Sequence, residues 1–291
     1  MTDRSVEALY EQVRAVVPVT SNDARPSVTQ VAPGIRVLAL RSPTLPPAAH
    51  TNVYLVGPER GPVAVVDPGS PYLDQQAILD DELGRIGGVA MVLLTHHHGD
   101  HVGGAAALAE RWSVPIAAHA ATARRLDALV AVTQLLDDGE VIHGATCVFT
   151  PGHAEGHLCF ELSGAVIAGD MVAGLGTILI DPDEGDMALY LDSLAKLRAR
   201  PQAAILPAHG PAIPDGHAKL TEYLSHRRMR EQRVLEALAL GGSSTLTTLV
   251  ERAYADTPKV LWPIAERSLL AHLVKLEREG RAREASGRWS L

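Results

Sequence analysis

Directly after an apolar run at 89–94 the chain reads Thr95-His96-His97-His98-Gly99-Asp100-His101, four imidazoles and a carboxylate within seven residues. A loop at the C-terminal end of a strand can aim several short side chains into one pocket while the helix behind it supports the backbone. His96 and His98 can then face one metal ion while Asp100 and His101 face another. His97, between two candidates, should point away from them by alternation. Three more candidates follow apolar runs in the same way: His153 in Thr-Pro-Gly-His, Asp170 in Ala-Gly-Asp and His209 in Pro-Ala-His-Gly. A carboxylate can bridge two cations with its two oxygens. The seven residues therefore divide as His96, His98 and His153 with Asp170 on one ion, and Asp100, His101 and His209 with Asp170 on the other.

Imidazole and carboxylate suit zinc, at bond lengths of roughly 2.0–2.1 Å. Manganese or iron can occupy closely related sites, because this donor set is not selective on its own. A single histidine at a strand end is more often an ordinary loop residue, and that reading covers His50, His119, His143, His157, His217, His226 and His272. His157 and His119 also qualify as partners for the second ring nitrogen of a ligand histidine. Two Zn2+ ions would lower the pKa of a bridging water so that hydroxide exists near neutral pH, with Asp100 orienting it as well as ligating. The attacked atom is then phosphorus in a nuclease or a carbonyl carbon in an acyl hydrolase, and the seven residues do not separate the two.

The elements that must position these groups follow from periodicity. Apolar spacing predicts a helix over 5–17 ended by Pro18, then a loose connector over 21–27. Strands are expected at 35–40, 52–57, 63–67 and 89–94, with a helix at 73–86. A helix at 102–112 and a strand at 115–118 follow, then strands at 145–150, 158–162 and 165–169, a helix at 186–200 and a strand at 203–206. Strands paired directly and then alternating with helices occur twice over. Two sheets packed face to face with helices outside accommodate that pattern, giving an α/β fold of αββα layers. The tail predicts a long helix from Leu220 stopped at Gly241-Gly242, a second over 245–254, a third over 265–279 and a β wing over 281–289, which together make a winged helix.

The chain has 291 residues of which 46% are hydrophobic, enough for one large domain, 1–217, and a small one, 218–291. The net charge of −8 is uneven: from Ala218 onward thirteen Lys/Arg face nine Asp/Glu, so the tail carries +4 and the rest −12. That asymmetry points to modules with different partners. Arg227, Arg228, Arg230 and Arg233 lie on or near one helix and are either candidate phosphate contacts or a solvated face. No apolar run approaches roughly eighteen residues and the first residues mix acids with apolar positions, so neither a membrane span nor a secretion signal is expected. Cys147 and Cys159 read as small apolar strand residues, which together with their scarcity suggests the reducing cytoplasm.

The run at 95–101, with TPGHAEGH at 150–157, AGD at 168–170 and PAHGP at 207–211, resembles the metallo-β-lactamase fold superfamily over nearly the whole first domain. The resemblance implies a four-layer αββα sandwich with the metals at one edge of the two sheets, and the same division of ligands. The tail resembles the C-terminal module of the β-lactamase-like endoribonucleases, including their mitochondrial members. It implies cleavage of single-stranded RNA as the leading activity. The alternative is a small-molecule acyl hydrolase of glyoxalase II, carrier-protein thioesterase or lactonase type, and a homodimer is plausible under either. True β-lactamases resemble the chain less, because they carry cysteine or serine at the position of Asp170. Quorum-signal lactonases place a tyrosine soon after the bridging aspartate, where here the first is Tyr190. The larger nucleic-acid-processing relatives insert a domain for which the interval from Asp170 to His209 has no room.

Overall fold

The computed structural model describes residues 6–17, 26–127, 129–201 and 204–291. Most of the connector expected at 21–27 lies outside the described residues, as do Ser5, Pro18 and Ala203. The first sheet orders seven strands as β1 (Thr29–Ala32), β2 (Ile35–Arg41), β3 (His50–Val56), β4 (Val63–Val66), β5 (Val89–Leu93), β6 (Ile116–His119) and β7 (Gln134–Leu136). Its first four strands are antiparallel neighbours and its last four run parallel. The second sheet holds β8 (Val141–Ile142), β9 (Ala145–Phe149), β10 (Leu158–Leu162), β11 (Ala165–Gly169) and β12 (Ala204–Pro207), with only β11 and β12 parallel.

Period-2 alternation sorts the side chains into layers. Along β3, Tyr54 and Val56 join an inter-sheet core with Phe160, Leu158 and Ile167 of the second sheet. Val53 and Leu55 face the other way, toward α2 (Leu73–Ile86) and α4 (Ala105–Trp112). On the second sheet Cys159 and Val166 turn outward against α6 (Met187–Arg198) and the first half of α7 (Gly216–Ala239). These are the expected αββα layers. Cys147 points into the inter-sheet core and Cys159 away from it, both free and buried, and burial pushes their thiols up to about 11 and about 12.

Most elements fall within a residue or two of expectation. The helix expected over 102–112 instead splits into α3 (Gly99–Val102) and α4. Gly103 and Gly104 lie between them, and a Cβ on either would come within 2.7 Å of the backbone oxygens of Gly69 and Pro68. This close approach presses the histidine loop against the end of β4. The apolar stripe of α1 (Val6–Val16) is shorter than its spacing suggests, since Val13 is buried but Val16 is 60% exposed. Strands β1, β7 and β8 and helix α5 (Ala120–Leu126) have no counterpart in the sequence reading, because short half-exposed segments carry little periodic signal.

The C-terminal helices α8 (Leu246–Ala253) and α9 (Trp262–Arg278) and the hairpin β13 (Arg283–Ala285) and β14 (Arg288–Ser290) close around Leu249, Leu269, Leu273 and Trp289. Thr245 caps α8 by accepting from Thr248 N at 3.3 Å. Helix α7 serves both cores: Leu220, Tyr223 and Leu224 pack on the second sheet, whereas Val234, Ala237 and Leu238 belong to the winged-helix core.

Candidate metal centre

All seven sequence candidates converge at one edge of the sandwich. The loop after β5 brings His96, His98, Asp100 and His101. The turn after β9 brings His153, the end of β11 brings Asp170 and the end of β12 brings His209. Several ties hold these strand ends together: Leu158 N donates to Thr95 O at 2.8 Å, and Asn52 Nδ2 donates to Pro207 O and Gly210 O, each at 2.8 Å. Tyr54 OH donates to Pro207 O at 2.7 Å, so the two sheets are cross-linked beside His209.

The candidate donor atoms gather into neighbouring groups, His96, His98 and His153 in one and Asp100, His101 and His209 in another, with Asp170 between them. His96 Nε2 lies 2.9 Å from His98 Nδ1, and His153 Nε2 lies 3.3 Å and 3.0 Å from those two atoms. Asp170 Oδ2 stands 3.6 Å from His153 Nε2. On the other side Asp170 Oδ1 is 3.5 Å from His101 Nε2 and 3.4 Å from His209 Nε2. Asp100 reaches the same two nitrogens at 3.9 Å and 3.4 Å. A tetrahedral ion with bonds of about 2.05 Å spaces its ligands about 3.3 Å apart, close to these values.

Tautomers sharpen the fit. Each of the five imidazoles gives its other nitrogen to a fixed acceptor: His98 Nε2 to Glu184 Oε2 at 2.9 Å, His153 Nδ1 to Leu179 O at 2.9 Å, His101 Nδ1 to Asp67 Oδ2 at 2.9 Å and His209 Nδ1 to His50 O at 3.0 Å. His96 Nδ1 faces Thr95 Oγ1 at 3.0 Å, and because that hydroxyl donates to Asp67 Oδ2 at 2.6 Å it must accept from the ring. Every inward nitrogen is thereby left as a lone pair, facing other lone pairs or carboxylates, with the Thr44 hydroxyl 3.3 Å from His209 Nε2 as an additional neighbour. His101 Nε2 and Asp170 Oδ1 are buried with no hydrogen-bond partner among the described residues. Such a constellation is repulsive unless cations sit in its midst, so these residues fit a pair of metal ions.

The electrostatics show where positive charge, a proton or a cation, is favoured. Burial works against charged rings, yet Asp100, Asp170 and Asp67 outweigh it and hold His101 well above the ordinary imidazole range. Asp170 and Asp100 likewise raise His209 against its burial. The two carboxyls titrate below their usual range, although burial opposes this, because His101 and His209 stand beside them. The other half is electrostatically opposite: burial drives His96 far down and His153 down to about 3.

Residues outside the seven complete the site. Asp67, at the end of β4 with φ 50°, also accepts from Thr95 N at 2.8 Å. It shares the strand-end position of the other candidates, which was the signal for it, whereas Glu184 sits in an irregular stretch that gives none. His157 does not partner a ligand imidazole: its Nε2 accepts from Asp170 N at 3.2 Å while its Nδ1 donates to Thr150 Oγ1 at 2.9 Å, which supports the backbone of Asp170 instead. Nor does His119: it caps α5 through Ala121 N at 3.2 Å and stacks on Phe149 at 4.4 Å. His97 turns from the centre as expected, toward Glu184 Oε2 at 3.7 Å. Tyr190 is buried and donates to Met171 O at 2.7 Å, so it supplies structure and no substrate group.

The arginines correct the sequence reading. Arg227 is 4% exposed, donates to Ile178 O and lies over the Tyr190 ring at 5.2 Å, which removes it from any ligand. Arg230 binds Asp256 at 2.7 Å and covers Tyr254, and Arg233 shares Asp256. Helix α7 faces the body of the protein here, so these guanidiniums meet internal acceptors. Arg228 is exposed and has no ion pair among the described residues.

The centre opens into a cleft of about 450 Å³. Its walls include Leu45, Pro46, Leu175, Ile178 and Leu179, its charged side chains are Asp100, Asp170, Asp183 and Glu184, and no Lys or Arg lines it among the described residues.

Residues 46–209 match the Metallo-beta-lactamase superfamily, and residues 245–289 match the Beta-lactamase associated winged helix domain. The chain is 30% identical to a Beta-lactamase-like protein 2 homolog of Drosophila melanogaster, over 89% of this chain and 92% of that one. It is 32% identical to an atrochrysone carboxyl ACP thioesterase of Passalora fulva, over 80% of this chain and 71% of the relative. Among solved structures, a Beta-lactamase domain protein from Burkholderia ambifaria superposes with a TM-score of 0.78 at 23% identity, covering 92% of this chain and 95% of that one.

Proposed function

Because the chain belongs to the metallo-β-lactamase superfamily of hydrolases, we propose that it is a binuclear zinc-dependent acyl hydrolase, cleaving a thioester or related ester whose acyl part is apolar. The observation that carries this reading is the cleft: apolar walls lead to the centre and no cationic side chain meets a substrate there. Phosphodiester chains are bound by Lys and Arg, and their absence from the walls disfavours RNA. The tail arginines that suggested RNA are largely engaged within the protein. The thioesterase name of the Passalora fulva relative points to the same acyl chemistry.

His96, His98, His153 and Asp170 would hold one ion, and Asp100, His101, His209 and Asp170 the other. Bound divalent cations supply Lewis acidity, which acidifies a water and stabilises charge developing on the carbonyl oxygen. The chain's own groups do the rest. Asp100, lining the cleft and kept ionised by His101 and His209, accepts a hydrogen bond from the attacking water and orients it as the new C–O bond forms and the water's proton is released into the cleft. The proton then passes to the departing thiolate or alkoxide as the C–S or C–O bond breaks. Leu45, Pro46, Leu175 and Leu179 exclude bulk water and hold the acyl chain.

The test is a substrate panel of apolar acyl-pantetheine thioesters, lactones, a β-lactam and single-stranded RNA, with zinc or manganese added and Asp170→Ala as control. Thioester turnover that the control abolishes is expected. RNA cleavage by the same site without thioester turnover would overturn the acyl assignment, and no turnover of any substrate would overturn the hydrolase.

A further inference from the structure

Two of the acceptors that set the inward nitrogens come from one irregular segment, residues 178–186. Leu179 O receives His153 Nδ1 and Glu184 Oε2 receives His98 Nε2, each at 2.9 Å. Ile178, Leu179, Asp183 and Glu184 also line the cleft, so this segment is at once a wall and a support. It has no sheet partner to hold it. Inside the turn Asp181 accepts from Asp183 N at 3.0 Å, and its backbone oxygen accepts from Glu184 N at 3.2 Å and Gly185 N at 2.6 Å. Asp181, which is 5% exposed, thus organises the turn that carries Glu184, and beyond it Asp186 N donates to Gly152 O at 2.8 Å.

What grips Asp181 is the C-terminal module. Arg267 of α9 makes a two-pronged contact with it, Nε donating to Oδ2 at 2.7 Å and Nη2 to Oδ1, and Nη2 also reaches Asp183. Arg278, further along α9, binds Asp186, whose other oxygen caps α6 through Ala188 N at 2.8 Å. Arg227 of α7 holds Ile178 O, and Tyr223 OH accepts from Ala173 N at 2.9 Å upstream. Every one of these four side chains comes from the tail helices and ends on the stretch between Asp170 and α6.

The geometry points to Arg267 as a positioning residue for the metal centre: through Asp181 and Asp183 it fixes the segment whose Glu184 carboxylate and Leu179 carbonyl orient His98 and His153. A bidentate guanidinium–carboxylate pair confers direction as well as attraction on an irregular loop that lies outside both sheets. The winged-helix module then acts as a clamp on the active-site wall, with Arg227, Arg267 and Arg278 engaged on that wall. This inference rests on the metal reading above.

The experiment is a competitive chelator titration of Zn2+ on the full-length chain, comparing wild type with Arg267→Met, Glu184→Gln and the double variant. Arg267→Met should weaken zinc binding by about 10- to 100-fold, the usual effect of removing support from a ligand imidazole. The double variant should lose clearly less than the sum of the two single losses, because part of the Arg267 effect passes through the Glu184 carboxylate and the rest through Leu179 O. Should Arg267→Met fail to fold by circular dichroism, Asp181→Asn, which keeps the turn's acceptors but loses the charge pair, should show the same loss and the same non-additivity. Wild-type zinc affinity in a folded Arg267→Met or Asp181→Asn, or strictly additive effects with Glu184→Gln, would overturn the positioning role. A wild-type chain that takes up no zinc would instead overturn the metal reading, and this inference with it.

Discussion

Asp67→Asn tests how far the centre depends on a residue outside the seven candidates. The carboxylate accepts from Thr95 N at 2.8 Å, Thr95 Oγ1 at 2.6 Å and His101 Nδ1 at 2.9 Å, in a site 2% exposed. An asparagine has one acceptor oxygen, so whichever way its amide turns, the NH2 group opposes at least one of these donors. A hydrogen bond to a charged group contributes about 1.5–3 kcal/mol and a stranded buried donor costs about 1–3 kcal/mol, giving an expected penalty of roughly 2–4 kcal/mol. Backbone strain does not confound the result, because asparagine tolerates the positive φ of 50° as well as aspartate does. Loss of the acceptor frees His101 to carry its proton on Nε2, where the metal lone pair should be. If half of the penalty falls on metal binding, zinc affinity drops about 5- to 30-fold, since each 1.4 kcal/mol is about tenfold. Zinc content measured against chelators of graded strength, beside kcat on the best ester of the panel, reads this directly. Wild-type chelator midpoints and kcat in Asp67→Asn would refute the claim that ring orientation is set from behind.

Gly69→Ala should lower Tm by several degrees and cut zinc content, because a Cβ there would lie 1.7 Å from Asp100 O and the histidine loop must move; calorimetry and metal analysis suffice to check it. Acid stability should report Glu231 of α7, which His272 at 3.8 Å and then Lys275 at 2.7 Å hold down to about 2. A carboxyl depressed on folding stabilises above its unfolded value of about 4.3 and loses that contribution as pH falls toward about 2. Urea melts of wild type and Glu231→Gln should therefore differ by about 1–2 kcal/mol near pH 6, allowing for solvent screening, and converge near pH 2; a gap that widens toward acid pH would contradict the assignment.

Much of the architecture was legible because its signal is local. Helix 73–86 and the strands at 158–162 and 165–169 appear where periodicity puts them, since their buried faces repeat with the period of the element. The edge strand β8 and the three-residue β7 escaped because exposed Leu135 and Val141 break the alternation such a reading needs. The arginine cluster was misjudged for a related reason. Spacing on α7 shows that the guanidiniums share a region of the helix, but whether that region meets solvent or Tyr190, Tyr254 and Asp256 depends on how α7 lies across α6 and α8.

The candidate site divides along the same line. Residue type and strand-end position were enough to single out His96, His98, Asp100, His101, His153, Asp170 and His209, because donors that share cations must sit on short loops at the ends of buried strands. Which nitrogen of each ring faces inward was decided by the tertiary structure alone. The acceptors that settle it, Asp67, Glu184, Leu179 O and His50 O, lie 26 to 159 residues from the rings they hold. Hydrogen-bond direction is a property of three-dimensional placement and leaves no period in the chain.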